Sequence, residues 1–141
     1  MWNYIKQIMR EVIKYLDYYC NDYVICGSLA LYLHGIIDSF SGKDIDVIVD
    51  VPKNAYDDLD NWVRRIDRFN GWGWSTSFNN HYIDVFNKKL PEFEIHNVDG
   101  LSIPVKSLSA LKKHYTTLDV ARLGGHLNFR NKMKARVALF S

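Results

Sequence analysis

Two short polar motifs in the first half of the chain carry residues that could do chemistry together. Gly27 and Ser28 follow the apolar run "YVIC", and Asp44 and Asp46 stand in the alternating segment "DIDVIVD". Side chains two residues apart in a strand share one face, so both carboxylates point to the same side. The segment "YIDVF" repeats this pattern with Asp84. If the two strands are neighbours, three carboxylates converge on one face of a sheet.

Three clustered carboxylates indicate a site for divalent metal. Left unpaired, they repel one another and destabilise the fold. Mg²⁺ prefers oxygen ligands and usually takes one or two carboxylates together with substrate phosphates. Two such ions can clamp the attacking and leaving oxygens of a phosphoryl displacement. The alternative is structural: Asp44 caps its strand, and Asp46 pairs with an arginine such as Arg64 or Arg65.

Gly27 and Ser28 fit a phosphate-binding turn between a strand and a helix. Glycine permits close backbone approach, a helix N-terminus offers free N–H groups, and the serine hydroxyl adds a donor. A Gly-Ser pair alone is weak, but the Asp-x-Asp pair and the third aspartate make the combination more specific. We interpret His34 as a packed, hydrogen-bonded histidine. His81 and His96 could be metal ligands, but their spacing matches no zinc pattern.

Hydrophobic spacing predicts the elements that hold the first motifs. It predicts a helix over residues 3–20, and "SLALYLHG" predicts a short helix that Gly35 ends. Another helix is expected after Pro52, because apolar residues again recur at helical spacing. These residues are Tyr56, Leu59, Trp62, Val63, Ile66 and Phe69.

The second half of the chain predicts two hairpins and then two helices. One hairpin turns at "NN" between "WSTSF" and "HYIDVF", and the other turns at "DG" between "FEIHNV" and "LSIPV". Ser107 is a candidate cap for a helix that ends near Thr117. A last, basic helix is expected over residues 128–140.

Composition restricts the class of protein. A chain of 141 residues suits one domain, and a hydrophobic content of 48% argues against disorder. No apolar run approaches the roughly 18 residues of a membrane span. The N-terminal segment is too charged for a signal peptide. Two cysteines make no disulfide framework, so a cytoplasmic location without membrane association is expected.

Charge is distributed unevenly along the chain. Residues 1–100 carry 10 Lys and Arg against 15 acids, whereas residues 101–141 carry 8 Lys and Arg and one acid, Asp119. Such a basic segment favours a polyanionic partner. A solvated basic helix with no partner is the alternative.

The segment "GSLALYLHG" followed by "DIDVIVD" resembles the nucleotidyltransferase superfamily of the DNA polymerase β type. In that family a Gly-Gly or Gly-Ser pair and a short helix precede an acidic strand, and a third acid lies on a later strand. Within the superfamily, these two segments are most similar to the small AbiEii-like and MenT-like nucleotidyltransferases. Many of those proteins are toxins of toxin–antitoxin or phage-defence systems. The resemblance extends over residues 24–51, and less strongly over 82–86 and 98–118.

The resemblance implies an α/β (α+β) fold of the polymerase β type, with a small mixed sheet and helices on one face. Residues 1–141 would form a single nucleotidyltransferase domain with a basic helical segment from about 105 to 141. The implied reaction transfers a nucleoside monophosphate from an NTP to an acceptor hydroxyl and releases pyrophosphate. It would use two Mg²⁺ ions, for which Mn²⁺ could substitute.

The resemblance also implies roles for the motif residues. Gly27 and Ser28 would hold the triphosphate. Asp44 and Asp46 would ligate both metal ions. Asp84 would ligate the catalytic ion and orient or deprotonate the acceptor hydroxyl.

The lysines and the basic tail add further candidates. Lys112 or Lys113 would take the place of the family's phosphate-binding lysine, and Lys43 is another nucleotide-binding candidate. Many relatives end in Arg-x-Lys-Asp-x-x-Asp, but here Met133 and Arg136 stand where the acids are expected. The tail therefore favours an RNA or tRNA end as acceptor. The candidate nucleic-acid contacts are Arg130, Lys132, Lys134 and Arg136.

Three other functions stay open beside RNA nucleotidyl transfer in a toxin–antitoxin or phage defence or counter-defence setting. The acceptor could be a protein hydroxyl, as in antitoxin-type nucleotidyltransferases that AMPylate a partner toxin. It could be a small molecule, as in aminoglycoside or lincosamide nucleotidyltransferases. The chain could also be a non-catalytic partner-binding module. The retained Gly-Ser pair and aspartates disfavour this last reading, because such acids are costly without metal.

Overall fold

The computed structural model describes residues 2–41, 43–67, 71–122 and 125–141. Within these residues, four α-helices and seven strands make an α+β architecture. The helices are α1 (Trp2–Tyr19), α2 (Gly27–Leu33), α3 (Leu108–Thr117) and α4 (Leu127–Ala138). The strands are β1 (Tyr23–Cys26), β2 (Asp44–Val49), β3 (Val63–Asp67), β4 (Gly71–Phe78), β5 (His81–Asn87), β6 (Phe93–Val98) and β7 (Leu101–Lys106). A 3₁₀ turn, Val120–Arg122, precedes α4.

The strands form one mixed sheet in the order β3-β4-β5-β2-β1-β7-β6. β2 pairs with β5 in parallel, and so does β1 with β7. The remaining neighbours are antiparallel. The expected mixed sheet is therefore confirmed. The two aspartate-bearing strands, β2 and β5, are neighbours, so the condition for bringing the three carboxylates to one face is met.

Helix α1 packs on the apolar face of this sheet. Tyr15 stacks on Phe78 with ring centroids 4.4 Å apart, and Phe78 shares a face of β4 with Thr76, two residues before it. Thr76 pairs with Ile83 across β4 and β5, and Ile83 pairs with Ile45 across β5 and β2. Because side chains alternate along a strand, α1 covers the face opposite to the aspartates.

Helices α3 and α4 pack against each other and line a cavity over the aspartate-bearing face. Tyr115 of α3 stacks on Phe140, just beyond α4, with centroids 5.5 Å apart and planes 7° apart. The helices are thus divided between the two sides of the sheet, and the expectation of helices on one face is wrong.

The helix expected after Pro52 is also wrong. Residues 53–61 form turns, and the chain then enters β3, which pairs with β4. Asn61 has a left-handed φ of +71°, which ends any helix before the strand. Tyr56 and Trp62 stack on each other at 4.8 Å, so their burial does not need a helical face. Phe69 lies outside the described residues.

The other boundaries agree closely with the sequence. α1 and α4 match the helices expected over residues 3–20 and 128–140. Asn79 and Asn80 form the turn between β4 and β5, both with positive φ. The Ser107 hydroxyl accepts a hydrogen bond from the Ala110 amide at 3.1 Å and caps α3 as expected. Among the described residues, no helix is both long and apolar enough to cross a membrane.

Candidate active site

The register of β2 and β5 brings the three aspartates into one cavity. Asp46 pairs directly with Asp84, and Asp44 lies two residues before Asp46 on the same face of β2. Every second side chain of both strands continues this face into one cavity. The volume of the cavity is about 590 Å³. The lining residues include Asp44, Asp46 and Ile48 from β2, Asp84 and Phe86 from β5, and Lys88 just beyond β5. Such a volume is typical of a ligand site.

Gly27 packs against the Asp46 carboxylate. Its φ is +64°, and a β-carbon at this position would overlap the Asp46 side chain. The β1–α2 junction therefore needs glycine for two reasons, namely its left-handed backbone and its close contact with a carboxylate. The pair Gly27 and Asp46, predicted to act together from sequence spacing, is joined by direct contact.

A serine on the neighbouring strand holds Asp84. Ser75 of β4 pairs with Asp84 across the sheet, and its hydroxyl donates a hydrogen bond of 2.6 Å to Asp84 Oδ1. The serine is buried, so this bond is shielded from water. It fixes one oxygen of the carboxylate and hence the orientation of the whole group.

The rest of the cavity is strongly basic. Three aspartates face five cationic side chains, all of which line the same space. These cations are Arg65, Lys88, Lys89, Lys106 and Lys132. Arg64, considered above as a partner for Asp46, instead pairs with Asp57 at 3.2 Å. A wall of this charge suits a polyanionic ligand placed beside the carboxylates.

Helix α4 adds another cation to this site. The Arg136 guanidinium lies 3.4 Å from the Ser28 hydroxyl, to which it donates a hydrogen bond. Phe129, Lys132 and Met133 line the cavity from the same helix. These positions follow helical spacing, so one face of α4 is turned toward Gly27 and Ser28.

Two titratable groups in the cavity are affected by burial. Burial lowers the pKa of Lys106, and repulsion from Lys88 lowers it further, against an opposing effect of Cys26. Burial raises the pKa of Tyr115 to about 12, with smaller effects of Cys26, Arg136 and Asp46. The neutral tyrosine hydroxyl is thus a hydrogen-bonding group close to the acidic and basic sides of the site.

Several predicted residues lie elsewhere. Lys112 and Lys113 are exposed on α3 and are not among the residues that line the cavity. Lys43 lines a second cavity of about 570 Å³ between α1 and the β4–β5 turn. Arg130 and Lys134 are exposed on α4, outside the aspartate cavity. The predicted nucleotide-binding lysines and two of the four predicted RNA contacts are therefore not brought to the carboxylates.

Sequence reasoning missed the lysines that do line the cavity. Lys88 lies four residues after Asp84 and on the same face of the chain, so its position was available from the alternation of β5. Lys106 reaches the site because β7 pairs in parallel with β1 at Ile25 and Val105. No local pattern reveals a pairing between strands so far apart in sequence.

The donor set of the cavity fits Mg²⁺ bound together with a substrate. Asp46 and Asp84 offer carboxylate oxygens from adjacent strands, the ligand type that hard cations prefer. In the described part of the chain, the three side chains close enough to share one ion are His34, Glu94 and His96, and not the aspartates. Phosphate oxygens would complete the coordination, as is usual for Mg²⁺.

Comparison of the chain with models of protein families, with curated proteins and with solved structures found no match. The resemblance to polymerase β-type nucleotidyltransferases therefore rests on the sequence motifs alone.

Proposed function

We propose that this protein is a metal-dependent nucleotidyltransferase that moves a nucleoside monophosphate from an NTP to an acceptor hydroxyl. The observation that carries this proposal is the direct cross-strand pairing of Asp46 with Asp84, with Gly27 packed against Asp46, in a cavity whose wall also carries five cationic side chains. A triphosphate brings negative charge for that wall and oxygens for the metal ions.

The chain's own residues have distinct tasks in this reaction. Lys88, Lys106 and Arg136 bind the triphosphate, and Asp84, held by Ser75, accepts the proton of the acceptor hydroxyl. The acceptor oxygen bonds to the α-phosphorus while the bond to the β-phosphate bridging oxygen breaks, and pyrophosphate leaves with that electron pair. Mg²⁺, or Mn²⁺ in its place, would neutralise charge on the phosphates when bound between Asp44, Asp46 and Asp84.

An RNA end, such as that of a tRNA, is the acceptor that the charge distribution favours. Arg130 and Lys134 are exposed on α4, the helix that also contributes Arg136 to the cavity. A nucleic acid bound along α4 would place its terminal hydroxyl at the mouth of the cavity. Modification of tRNA would suit a toxin–antitoxin or phage-defence setting, as the sequence resemblance implies.

A protein hydroxyl is the second candidate acceptor. The cavity is open to solvent, so a partner protein could supply a further wall around the acceptor. Protein AMPylation uses the same aspartates and the same triphosphate site. The two proposals differ only in the acceptor that receives the nucleoside monophosphate, an RNA end or a protein hydroxyl.

Transfer of label to candidate acceptors tests the proposal. The protein is incubated with Mg²⁺, each α-labelled NTP, and either total RNA or total protein. We expect label on a tRNA-sized band. Asp84→Asn should reduce transfer by at least about 100-fold, the order of loss when a general base is removed.

Asp50→Asn is the matched control, because Asp50 is an exposed aspartate just after β2 that does not line the cavity. It should transfer label at the wild-type rate. Label on protein alone would select AMPylation, and no label on either class of acceptor would contradict nucleotidyl transfer.

A further inference from the structure

A second group of polar side chains lies apart from the aspartate cavity, where the end of α2 meets the edge strand β6. His34 is the C-terminal cap of α2, and Glu94 and His96 share one face of β6 because they are two residues apart. Their candidate ligand atoms all lie within 4.8 Å of one another. None of the three lines the aspartate cavity.

The hydrogen bond of His34 decides which of its nitrogens faces the group. Nε2 of His34 lies 2.7 Å from the backbone carbonyl oxygen of Lys106. A carbonyl oxygen only accepts, so Nε2 carries the proton and donates it. In the neutral ring, Nδ1 then has a bare lone pair, and this atom faces Glu94 Oε2 at 3.7 Å. A lone pair facing a carboxylate oxygen is repulsive unless a proton or a metal ion lies between them.

The distances within the group are too long for direct hydrogen bonds. Glu94 Oε2 lies 3.7 Å from His34 Nδ1 and 3.6 Å from His96 Nε2. Ligand atoms about 2.0–2.2 Å from a tetrahedral Zn²⁺ ion are about 3.4 Å apart along each edge. The carboxylate oxygen is thus spaced from both rings almost as a shared metal ion requires.

Burial gives the group one fixed ligand and two adjustable ones. The His34 side chain is 7% exposed, whereas His96 is 23% and Glu94 53% exposed. The Lys106 carbonyl holds His34 in the orientation and tautomer that metal ligation needs, as outer partners of metal-binding histidines usually do. Small rotations of His96 and Glu94 can close the remaining gap between the ligand atoms.

We propose that His34, Glu94 and His96 form a zinc site. Two imidazoles and one carboxylate are donors that suit Zn²⁺, whereas Mg²⁺ prefers oxygen alone. The ligand atoms are Nδ1 of His34, Nε2 of His96 and a carboxylate oxygen of Glu94, with a water molecule as fourth ligand. The ion ties the end of α2 to β6, and through the Lys106 carbonyl to β7, whose last side chain lines the aspartate cavity.

Metal titration without nucleotide tests this site separately from the proposed reaction. The full chain without a histidine tag is treated with a chelator and then titrated with Zn²⁺ alone, and with Co²⁺ as a spectroscopic probe. We expect one equivalent of tightly bound Zn²⁺, visible Co²⁺ absorption of a four-coordinate site, and a higher melting temperature with Zn²⁺.

Two variants on the exposed edge strand, His96→Gln and Glu94→Gln, should each weaken Zn²⁺ binding by more than about 100-fold, beyond the 10–100-fold typical of losing an outer partner. His126→Gln removes an exposed histidine elsewhere, and Asp46→Asn removes a carboxylate of the other site, so both should bind Zn²⁺ as the wild type does. Absence of stoichiometric binding, or equal binding by wild type and His96→Gln, would overturn the proposal and leave a charged histidine beside a carboxylate.

Discussion

Gly27 affects both the backbone conformation at the start of α2 and the position of the Asp46 carboxylate. Its left-handed φ lets β1 turn into α2, and its missing side chain leaves space for Asp46. Gly35, at the other end of α2, also has a left-handed φ, but nothing lies within 4 Å of the place where a β-carbon would be. Both positions therefore need glycine for its backbone conformation, but only Gly27 also needs it to leave space for a carboxylate of the site.

Alanine at each of these glycines should lower stability, and alanine at Gly27 should also lower activity. Gly35→Ala should lower the free energy of unfolding by about 1–2 kcal/mol, the penalty of a left-handed residue with a side chain. Gly27→Ala should cost at least as much, because its β-carbon also overlaps Asp46. Only Gly27→Ala also displaces Asp46, so it alone should lose most nucleotidyl transfer per folded molecule. Urea unfolding and label transfer measure the two effects, and equal activity of both variants would contradict the role of the Gly27–Asp46 contact.

Replacing Lys106 should raise the stability of the protein and weaken its binding of nucleotide. Because its pKa in the fold lies below the ordinary 10.5, the unfolded chain binds more protons between the two values. Its unfavourable contribution to stability is therefore complete below the folded pKa and disappears as pH rises toward 10.5. Lys106→Met should make the protein more stable than the wild type at pH 7, and this difference should shrink at alkaline pH.

The same substitution should weaken binding of Mg²⁺-NTP by about 10–100-fold, because a charged hydrogen bond contributes about 1.5–3 kcal/mol. Lys112→Met, an exposed position outside the cavity, is the control and should leave affinity and stability nearly unchanged. Calorimetric titration and thermal unfolding between pH 7 and 10.5 measure both quantities. Weaker binding by Lys112→Met than by Lys106→Met would restore the phosphate-binding role that the sequence predicts for α3.

Helix α4 has one face turned to the cavity and another exposed to solvent. Phe129, Lys132, Met133 and Arg136 recur at i, i+3, i+4 and i+7, and they face the cavity or Ser28. Arg130 and Lys134 are exposed and spaced by one turn on another face. The sequence assigned all four basic residues to RNA, because charge alone does not show which side of a helix is covered.

Removing charge from each face of α4 should therefore have different consequences. Arg136→Gln should weaken NTP binding by about 10-fold, since it loses a charged group beside Ser28. Lys134→Gln should leave NTP binding unchanged and weaken RNA binding. Fluorescence anisotropy with a labelled NTP analogue and with labelled tRNA distinguishes the two, and equal effects of both variants on the NTP would contradict the assignment of faces.

At the element scale, local patterns predicted most of the structure. The helices α1, α3 and α4, both hairpin turns and the strand carrying Asp44 and Asp46 follow from spacing, turn residues and caps in the chain. The segment after Pro52 was misjudged because aromatic residues at helical spacing pack equally well from turns and a strand. Its pairing with β4 is a tertiary effect that overrides local preference.

The candidate site was predictable only in its acidic half. Alternation within each strand predicted the faces of Asp44, Asp46 and Asp84, whereas the pairing of their strands was only a condition that the structure fulfils. Lys106 and the cavity-facing side of α4 depend on parallel pairing of β1 with β7 and on helix packing over long sequence separations. The group of His34, Glu94 and His96 depends on the same pairing, since β7 places β6 beside the end of α2.

For the whole molecule, folding brings the basic tail beside carboxylates from the acidic first part of the chain. The acids of the first hundred residues include the three cavity aspartates, and the basic tail packs beside them as α3 and α4. A polyanion can thus be held along α4 while its end reaches the carboxylates.

Binding of RNA should accordingly depend steeply on salt. Each phosphate neutralised by a lysine or arginine contributes about −0.7 to the slope of log affinity against log salt for single strands. The double substitution Arg130→Gln and Lys134→Gln should lower the magnitude of that slope by about 1–1.5. Anisotropy titrations at several NaCl concentrations measure it, and a wild-type affinity that does not change with salt would contradict RNA binding along α4.

The measurement that most directly tests nucleotidyl transfer compares label position in the donor. The protein, Mg²⁺ and acceptor RNA or protein are incubated with an NTP labelled at the α-phosphate, and in parallel with one labelled at the γ-phosphate. Nucleotidyl transfer predicts label on the acceptor from the α-labelled NTP alone, with labelled pyrophosphate released from the γ-labelled one, and no transfer by Asp46→Asn. Label on the acceptor from the γ-phosphate, or equal transfer by Asp46→Asn, would contradict it.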